Sequence, residues 1–328
     1  MRLLFITSNR IGDAVLSTGL LAHLIAEARD QGGMPEVTVA AGPASTPLFA
    51  GVPGLAGVIP MHKRKGGLHW FRLLARVGWQ RWDVVVDLRR SALAYCLRAD
   101  RRLIVPKSNR PLHRVHLLAR MIGREAAPPA PTLWPTDAAR AEAARLAPEG
   151  PPILALAPTA NWRGKIWPAE RFAALAGRLC ATDGPLPGAR VAVLGGPGED
   201  AQAAPVLDAI PPERRIDLVG RIDLLTAAAL LERARLFVGN DSGLMHIAAA
   251  MGTPTLGLFG PSKTELYAPW GPHAAYVRTP ESFGDLTGGP DYDHRTTGSL
   301  MGGLTLETVE DAARDLLTRT AREEGSPR

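Results

Sequence analysis

Strand-length apolar runs alternate with apolar residues at helical spacing along nearly the whole chain. Leu3–Thr7 is a buried-strand run, Ser8–Gly12 is a polar loop, and Asp13 stands where a helix N-cap belongs. Leu16, Leu20, Leu21, Leu24 and Ile25 then recur at helical spacing until Gly32-Gly33 ends the helix. Glu36–Ala41 (EVTVAA) is the next strand, so the start reads strand–loop–helix–strand, the unit from which parallel sheets are built. The alternation continues with a strand at Val58–Met61, a helix at His69–Val77, strands at Asp83–Leu88 and Arg102–Val105, and a helix at Leu112–Met121.

Residues 126–136 (AAPPAPTLWPT) interrupt this pattern. Four prolines in eleven positions continue neither a helix nor a central strand, so the stretch reads as a linker. A second series follows: strand Ile153–Ala157, helix Pro168–Cys180, strand Arg190–Leu194 and a helix from Glu199. Next come strand Ile216–Val219, helix Leu224–Ala234, strand Leu236–Gly239, helix Ser242–Met251 and strand Thr255–Phe259. Residues 280–303 read as a long loop, and Leu304–Arg319 as a closing helix. The expected fold class is α/β, with two doubly wound Rossmann-like domains facing a central cleft; ligands of open α/β sheets bind beyond the carboxyl ends of the strands. The first domain is expected over 1–130, the linker and the start of the second over 131–150, and the second domain with its C-terminal helix over 151–328.

Length and composition fit this picture, with 328 residues, 46% hydrophobic and 21% charged. No uninterrupted apolar run reaches the roughly 18 residues of a membrane span, and the N-terminus lacks the apolar core of a secretory signal. Two distant cysteines, Cys96 and Cys180, suggest neither a disulfide framework nor a zinc site, so a reducing compartment is expected. Charge changes the picture more. Residues 1–130 hold 19 of the 38 Lys and Arg but only 8 of the 32 Asp and Glu, a net of +11 against −5 for the remainder. Such a basic half suits an anionic partner, and on charge alone nucleic acid, an anionic lipid surface and a phosphorylated glycolipid all fit.

Candidate chemistry gathers at expected strand ends. Asp13, after Arg10-Ile11-Gly12, is either a helix cap or a general base on an acceptor hydroxyl. In Pro158–Pro168 (PTANWRGKIWP), Lys165 is either a surface lysine or a point charge for a diphosphate leaving group; Trp162 and Trp167 read as packing residues. Gly195–Asp200 (GGPGED) follows a strand but does not match G-x-G-x-x-G, which disfavours a dehydrogenase; Glu199 there suits a ribose. The strongest element is Val238–His246 (VGNDSGLMH). A helix beginning at Ser242-Gly243 offers free N–H groups and a positive dipole end to a diphosphate, with Asp241 and His246 at the same end. Asp291, Asp293 and His294 lack regular metal-ligand spacing, and no G-x-S-x-G, H-E-x-x-H or P-loop occurs.

Taken together, RIGDAVLSTGLL, WDVVVDLRRS, PTANWRGKIWPAERFAAL, LGGPGED and VGNDSGLMHIAAAMGTPTLGLFGP resemble glycosyltransferase family 9, the lipopolysaccharide heptosyltransferases and their relatives. The resemblance runs from the first strand to about Trp270. It implies a GT-B fold, inverting transfer, no metal and no cofactor, with a nucleotide sugar, ADP-heptose, as co-substrate. It implies Asp13 as catalytic base and Lys165 on the donor diphosphate. Ser242 and Gly243 would meet phosphate, Asp241 the donor sugar with His246 nearby, and Glu199 and Ile222 the nucleoside. Thr159 and Asn161 fall where the family often offers threonines before the lysine. Many members carry cysteines in the segment matching 280–302, and this chain has none. Arg10, Lys63, Arg64 and Lys65 are expected to meet an anionic glycolipid or oligosaccharide acceptor of the lipopolysaccharide core. No nucleic acid partner is expected; the enzyme would be cytoplasmic, with peripheral contact at the inner membrane. A same-fold transferase using another nucleotide sugar, a nucleotide-sugar epimerase or hydrolase, and a non-enzymatic nucleotide or glycolipid binding module are the alternatives.

Overall fold

The computed structural model describes residues 1–63, 65–107, 111–289 and 292–324. The chain forms two compact units, Met1–Thr136 and Asp137 onward.

The first unit runs β1 (Arg2–Ile6), α1 (Ile11–Asp30), β2 (Glu36–Ala41), β3 (Leu55–Pro60), α2 (Leu68–Val77), β4 (Arg81–Asp87), α3 (Leu93–Cys96), β5 (Arg98–Ile104) and α4 (Arg114–Ala119). Its sheet has the order β3-β2-β1-β4-β5 with every pair parallel. β1 is therefore central, and the chain winds outward from it to β2 and β3, then returns to its other side for β4 and β5. Leu4, Ile6, Ala40 and Val85 of the strands pack with Leu73 and Val77 of α2 and with Trp82. The Trp82 indole N–H donates to the Val77 carbonyl at 3.0 Å, so this large ring is buried without an orphan polar atom.

By length and composition α1 is apolar enough to cross a membrane. Leu16, Leu20, Leu21, Leu24 and Ile25 are nevertheless spent inside this unit, where they are buried.

The proline-rich stretch is laid along the first unit, which moves the boundary to 136/137 from the expected 130. The Thr132 amide donates to Thr18 Oγ1 of α1 at 2.9 Å. A Cβ at Gly19 would lie 2.3 Å from the Pro129 carbonyl oxygen, so glycine is what lets the stretch approach the helix.

The second unit opens with α5 (Asp137–Leu146), then β6 (Ile153–Ala157), α6 (Ala169–Leu179), β7 (Arg190–Val193), α7 (Asp200–Asp208), β8 (Arg215–Asp217), α8 (Leu224–Leu231), β9 (Leu236–Asn240), α9 (Gly243–Ala250) and β10 (Thr255–Phe259). It closes with α10 (Thr264–Tyr267), β11 (Ala274–Arg278), α11 (Phe283–Thr287) and α12 (Leu306–Glu324). The parallel order is β11-β10-β9-β6-β7-β8. The strands β6, β9 and β10 are buried along their whole length, as both-face-covered parallel strands must be. Trp167, Phe172, Leu175 and Leu179 pack with Val309, Ala313 and Leu316 of α12 in one core.

Five elements were not expected: α3, α5, α10, β11 and α11. The stretch read as a loop over 280–303 contains α11, which a capping box starts: Ser282 Oγ accepts from the Asp285 amide while Asp285 accepts from the Ser282 amide.

Candidate active site

In each sheet the winding reverses at one place, between β1 and β4 in the first unit and between β6 and β9 in the second. Loops leaving adjacent strands diverge there and open a crevice beyond their carboxyl ends, where ligands of such sheets bind.

In the second unit the crevice is built by the loops after β6 and β9. Lys165, from the first, donates to Asp241 Oδ2, from the second, at 2.6 Å. The pair is largely sheltered, the side chains being 24% and 9% exposed. Beside it α9 begins. Ser242 is its N-cap residue, in extended backbone conformation, yet its hydroxyl makes no cap bond and has no hydrogen-bond partner despite burial. The first-turn N–H groups of α9 thus lack the side-chain acceptor that normally satisfies one of them. Gly243 is the first helical residue and half-buried, and His246, one turn in, is buried. A cation on a mobile stem, an uncapped helix N-terminus and a spare hydroxyl together suit a phosphate group.

Asn240, to which no role was given from the sequence, fixes the lysine loop. It is fully buried at the end of β9; its Oδ1 accepts from the Trp167 amide at 3.1 Å, and its Nδ2 donates to the Pro158 carbonyl at 2.9 Å. One amide side chain thereby bridges both ends of the 158–167 loop. The segment after 292 holds the same loop from outside. Trp162 Nε1 donates to His294 O at 2.9 Å, Ser299 Oγ to Ile166 O at 2.6 Å, and Trp167 Nε1 to Leu304 O at 2.8 Å. Both tryptophans are packing residues in this arrangement.

Thr159 is buried, and its hydroxyl donates to Glu199 Oε2 at 2.5 Å, which braces that carboxylate. The same carboxylate oxygen accepts from the Gly196 amide at 2.7 Å. The loop carrying Ile222 lies alongside, because Gly220 N donates to Gly195 O at 3.0 Å; Ile222 itself is half-buried. Glu199 and Ile222 therefore share one corner, over β7 and β8, while Lys165, Asp241, Ser242 and Gly243 share another, over β6 and β9. Asn161 is exposed on the lysine loop.

In the first unit the expected cap at Asp13 is corrected. Ser8 Oγ accepts from the Arg10 amide at 3.2 Å and turns the chain early, so α1 already begins at Ile11 with Arg10 as N-cap residue. Asp13 lies in the first turn. Its carboxylate instead faces Arg114 of α4, with Oδ1 and Nε 3.9 Å apart and side chains 14% and 21% exposed. Arg114 stands 101 positions away in the sequence and carried no local signal.

At the reversal point itself, Arg89 Nη1 donates to Asn9 Oδ1 at 3.0 Å, and its guanidinium lies 4.9 Å from the Trp70 ring centroid. Burial pushes the Arg89 pKa down, against the pull of Asp87. Asp87 is fully buried and holds the following turn by accepting from the Arg89 amide and from Ser91 N and Oγ. Burial, then Arg89 and Lys63, push the His69 pKa below its ordinary value, which marks a basic neighbourhood. Arg10, Lys63 and Lys65 are exposed; Arg64 lies outside the described residues, as does Asp291. Among the described residues, no three His, Cys, Asp or Glu side chains converge as a metal site would require.

A protein-family model described as glycosyltransferase family 9 (heptosyltransferase) matches residues 81–284. Lipooligosaccharide heptosyltransferase 2 of Haemophilus influenzae is 33% identical over 131 residues, covering 39% of this chain and 36% of that protein. The match thus spans about a third of that relative's length. Among solved structures, Escherichia coli ADP-heptose lipopolysaccharide heptosyltransferase II superposes with a TM-score of 0.75 at 21% identity, over 98% of this chain and 100% of that one. A family 9 glycosyltransferase from Veillonella parvula gives 0.76 at 20% identity, over 97% of each chain. These likenesses carry the fold, two doubly wound parallel α/β units of the GT-B class.

Proposed function

The chain belongs to glycosyltransferase family 9, and from that premise we propose that it is an inverting, metal-independent transferase. It moves heptose from ADP-heptose to an anionic glycolipid or oligosaccharide acceptor of the lipopolysaccharide core, in the cytoplasm at the inner membrane. The observation that carries this reading is the Lys165–Asp241 pair beside the uncapped start of α9.

The donor diphosphate lies on the α9 N-terminus and Lys165, its sugar against Asp241, and its nucleoside toward Glu199 and Ile222. Binding phosphate draws Lys165 from Asp241 and leaves that carboxylate for sugar hydroxyls. The acceptor is held by the basic first unit, where Arg89 adds a half-buried cation to Arg10, Lys63 and Lys65. The acceptor oxygen bonds to the anomeric carbon as the carbon–oxygen bond to the diphosphate breaks. The bonding pair leaves with ADP, and Asp13 takes the hydroxyl proton. Arg114 holds Asp13 in orientation. Charge growing on the leaving diphosphate is met by Lys165 and the helix dipole, so the reading requires no metal.

Calorimetric binding of ADP, UDP, GDP and CDP, followed by donor turnover with and without acceptor in EDTA, tests the reading. Selective ADP binding and acceptor-dependent, EDTA-resistant turnover are expected. Preference for UDP or GDP overturns the heptosyl assignment, and turnover without acceptor favours an epimerase or hydrolase.

A further inference from the structure

Residues 37–82 hold six Lys and Arg and no Asp or Glu, the longest stretch of one sign in the first unit. α2 lies within it, and its outer face is unusual. Seven large apolar side chains are exposed among the described residues; two belong to this element, Leu68 at 55% and Phe71 at 67%, and a third, Trp79 at 88%, follows two residues after its last turn. They are not scattered. At about 100° per residue, Leu68, Phe71 and Ala75 fall within one narrow stripe. The chain keeps a helical course past Val77, since the Gly78 amide donates to Leu74 O at 2.7 Å. Trp79 then folds back on the same stripe, its indole N–H donating to Ala75 O at 3.1 Å. That bond satisfies the only polar atom of the ring and leaves an apolar face outward. Leu73 and Val77, on the opposite side, are buried in the core of the unit, so α2 cannot turn its apolar stripe inward without losing that packing.

Basic side chains flank the stripe. Arg72 and Arg76 are exposed along one edge of α2, and Lys63 and Lys65 are exposed just before its start. Tyr95, 73% exposed, stands on the neighbouring α3. Apolar and aromatic residues along one line, with cations beside them and no acid in reach along the element, make the pattern of a helix lying in a lipid–water interface. Solitary exposed apolar residues need no explanation, but a stripe of this kind does.

We propose that α2 docks the protein on an anionic phospholipid surface, with Leu68, Phe71 and Trp79 entering the headgroup–acyl boundary and Arg72, Arg76, Lys63 and Lys65 meeting lipid phosphates. This deepens the transferase reading, since it rests on a glycolipid acceptor being the reason to dock; the docking itself is measured independently of turnover.

The test is co-sedimentation with phosphatidylcholine vesicles with and without phosphatidylglycerol. The protein is expected to pellet with the anionic vesicles, less so as salt is raised, and to stay in solution with phosphatidylcholine alone. F71S/W79S is expected to lower partitioning at least about ten-fold, and R72Q/R76Q about thirty-fold; both pairs are exposed, and ADP binding should be unchanged in each. Equal partitioning of F71S/W79S and the unaltered protein overturns the proposal, as does failure of the unaltered protein to pellet. A concentration-dependent dimer, without lipid, that F71S/W79S dissolves assigns the stripe to a second copy instead. Loss of ADP binding in the unaltered protein with vesicle binding intact would remove the transferase reading and leave the docking surface standing.

Discussion

Lys165 Nζ and Asp241 Oδ2 lie 2.6 Å apart although 76 residues separate them in the chain. They meet because β6 and β9 are neighbours at the point where the second sheet reverses its winding. The ion pair keeps a lysine beside the α9 N-terminus that would otherwise extend into water. Of the two partners Lys165 is the more open to solvent, 24% against 9% for Asp241.

Lys165→Ala is expected to weaken ADP binding and to lower kcat by about two to three orders of magnitude. Asp241→Asn should keep ADP affinity near its original value while raising KM for the intact nucleotide sugar. Calorimetry with ADP and steady-state kinetics with donor separate the two; equal loss of ADP affinity in both variants would mean that Asp241 acts only by holding the lysine.

Asp13→Ala is expected to reduce kcat by about two to four orders of magnitude while leaving ADP affinity intact. Arg114→Met keeps the base but removes the group facing it, so a smaller fall in kcat is expected. Single-turnover rates at saturating donor read both. A near-normal rate in Asp13→Ala would remove it from proton transfer.

Asn240→Ala strips partners from the buried Trp167 amide and Pro158 carbonyl, which is expected to cost about 2–3 kcal/mol in chemical unfolding. The Lys165 loop then loses its inner tether, so kcat should fall as well, although Asn240 makes no contact with the reacting atoms. Unfolding at the original midpoint would show that the outer contacts from Trp162, Ser299 and Trp167 suffice.

The alternation of apolar runs made both doubly wound sheets legible, because parallel strands covered on both faces, such as β6 and β10, must be apolar throughout. The α9 terminus was legible too, since strand end, polar turn and helix start lie within nine residues. Elements without that contrast were missed: α5 is alanine-rich beside a proline stretch, and β11 lies half-covered at a sheet edge. The Ser282–Asp285 spacing did carry a helix-start signal inside the presumed loop. Arg114, Asn240 and the Asn9–Arg89 bond had none, because each depends on which strands become neighbours, and the sheet order is not written in local periodicity.

Glu310 offers a check on how the last helix is held. Its carboxylate accepts from Arg178 of α6 at 2.8 Å and from Arg314, one turn along α12, at 2.9 Å. The Arg178 bond, more than Arg314, holds the Glu310 carboxyl below the usual carboxylate range, although burial opposes it. A carboxyl whose folded pKa is depressed adds stability that is complete above the unfolded pKa and is lost as pH falls through the folded value. Both guanidinium groups are nearly half exposed, so water screens the interaction and the contribution is about 1 kcal/mol. Glu310→Gln is therefore expected to lower the unfolding free energy by about that amount at neutral pH. The gap between the two proteins should close progressively below about pH 4, where protonation removes the charge from the unaltered protein as well. Urea titrations at several pH values measure it. A gap that stays constant into acid would mean that the substitution acts through the packing of α12 on Phe172 and Leu175 and not through charge.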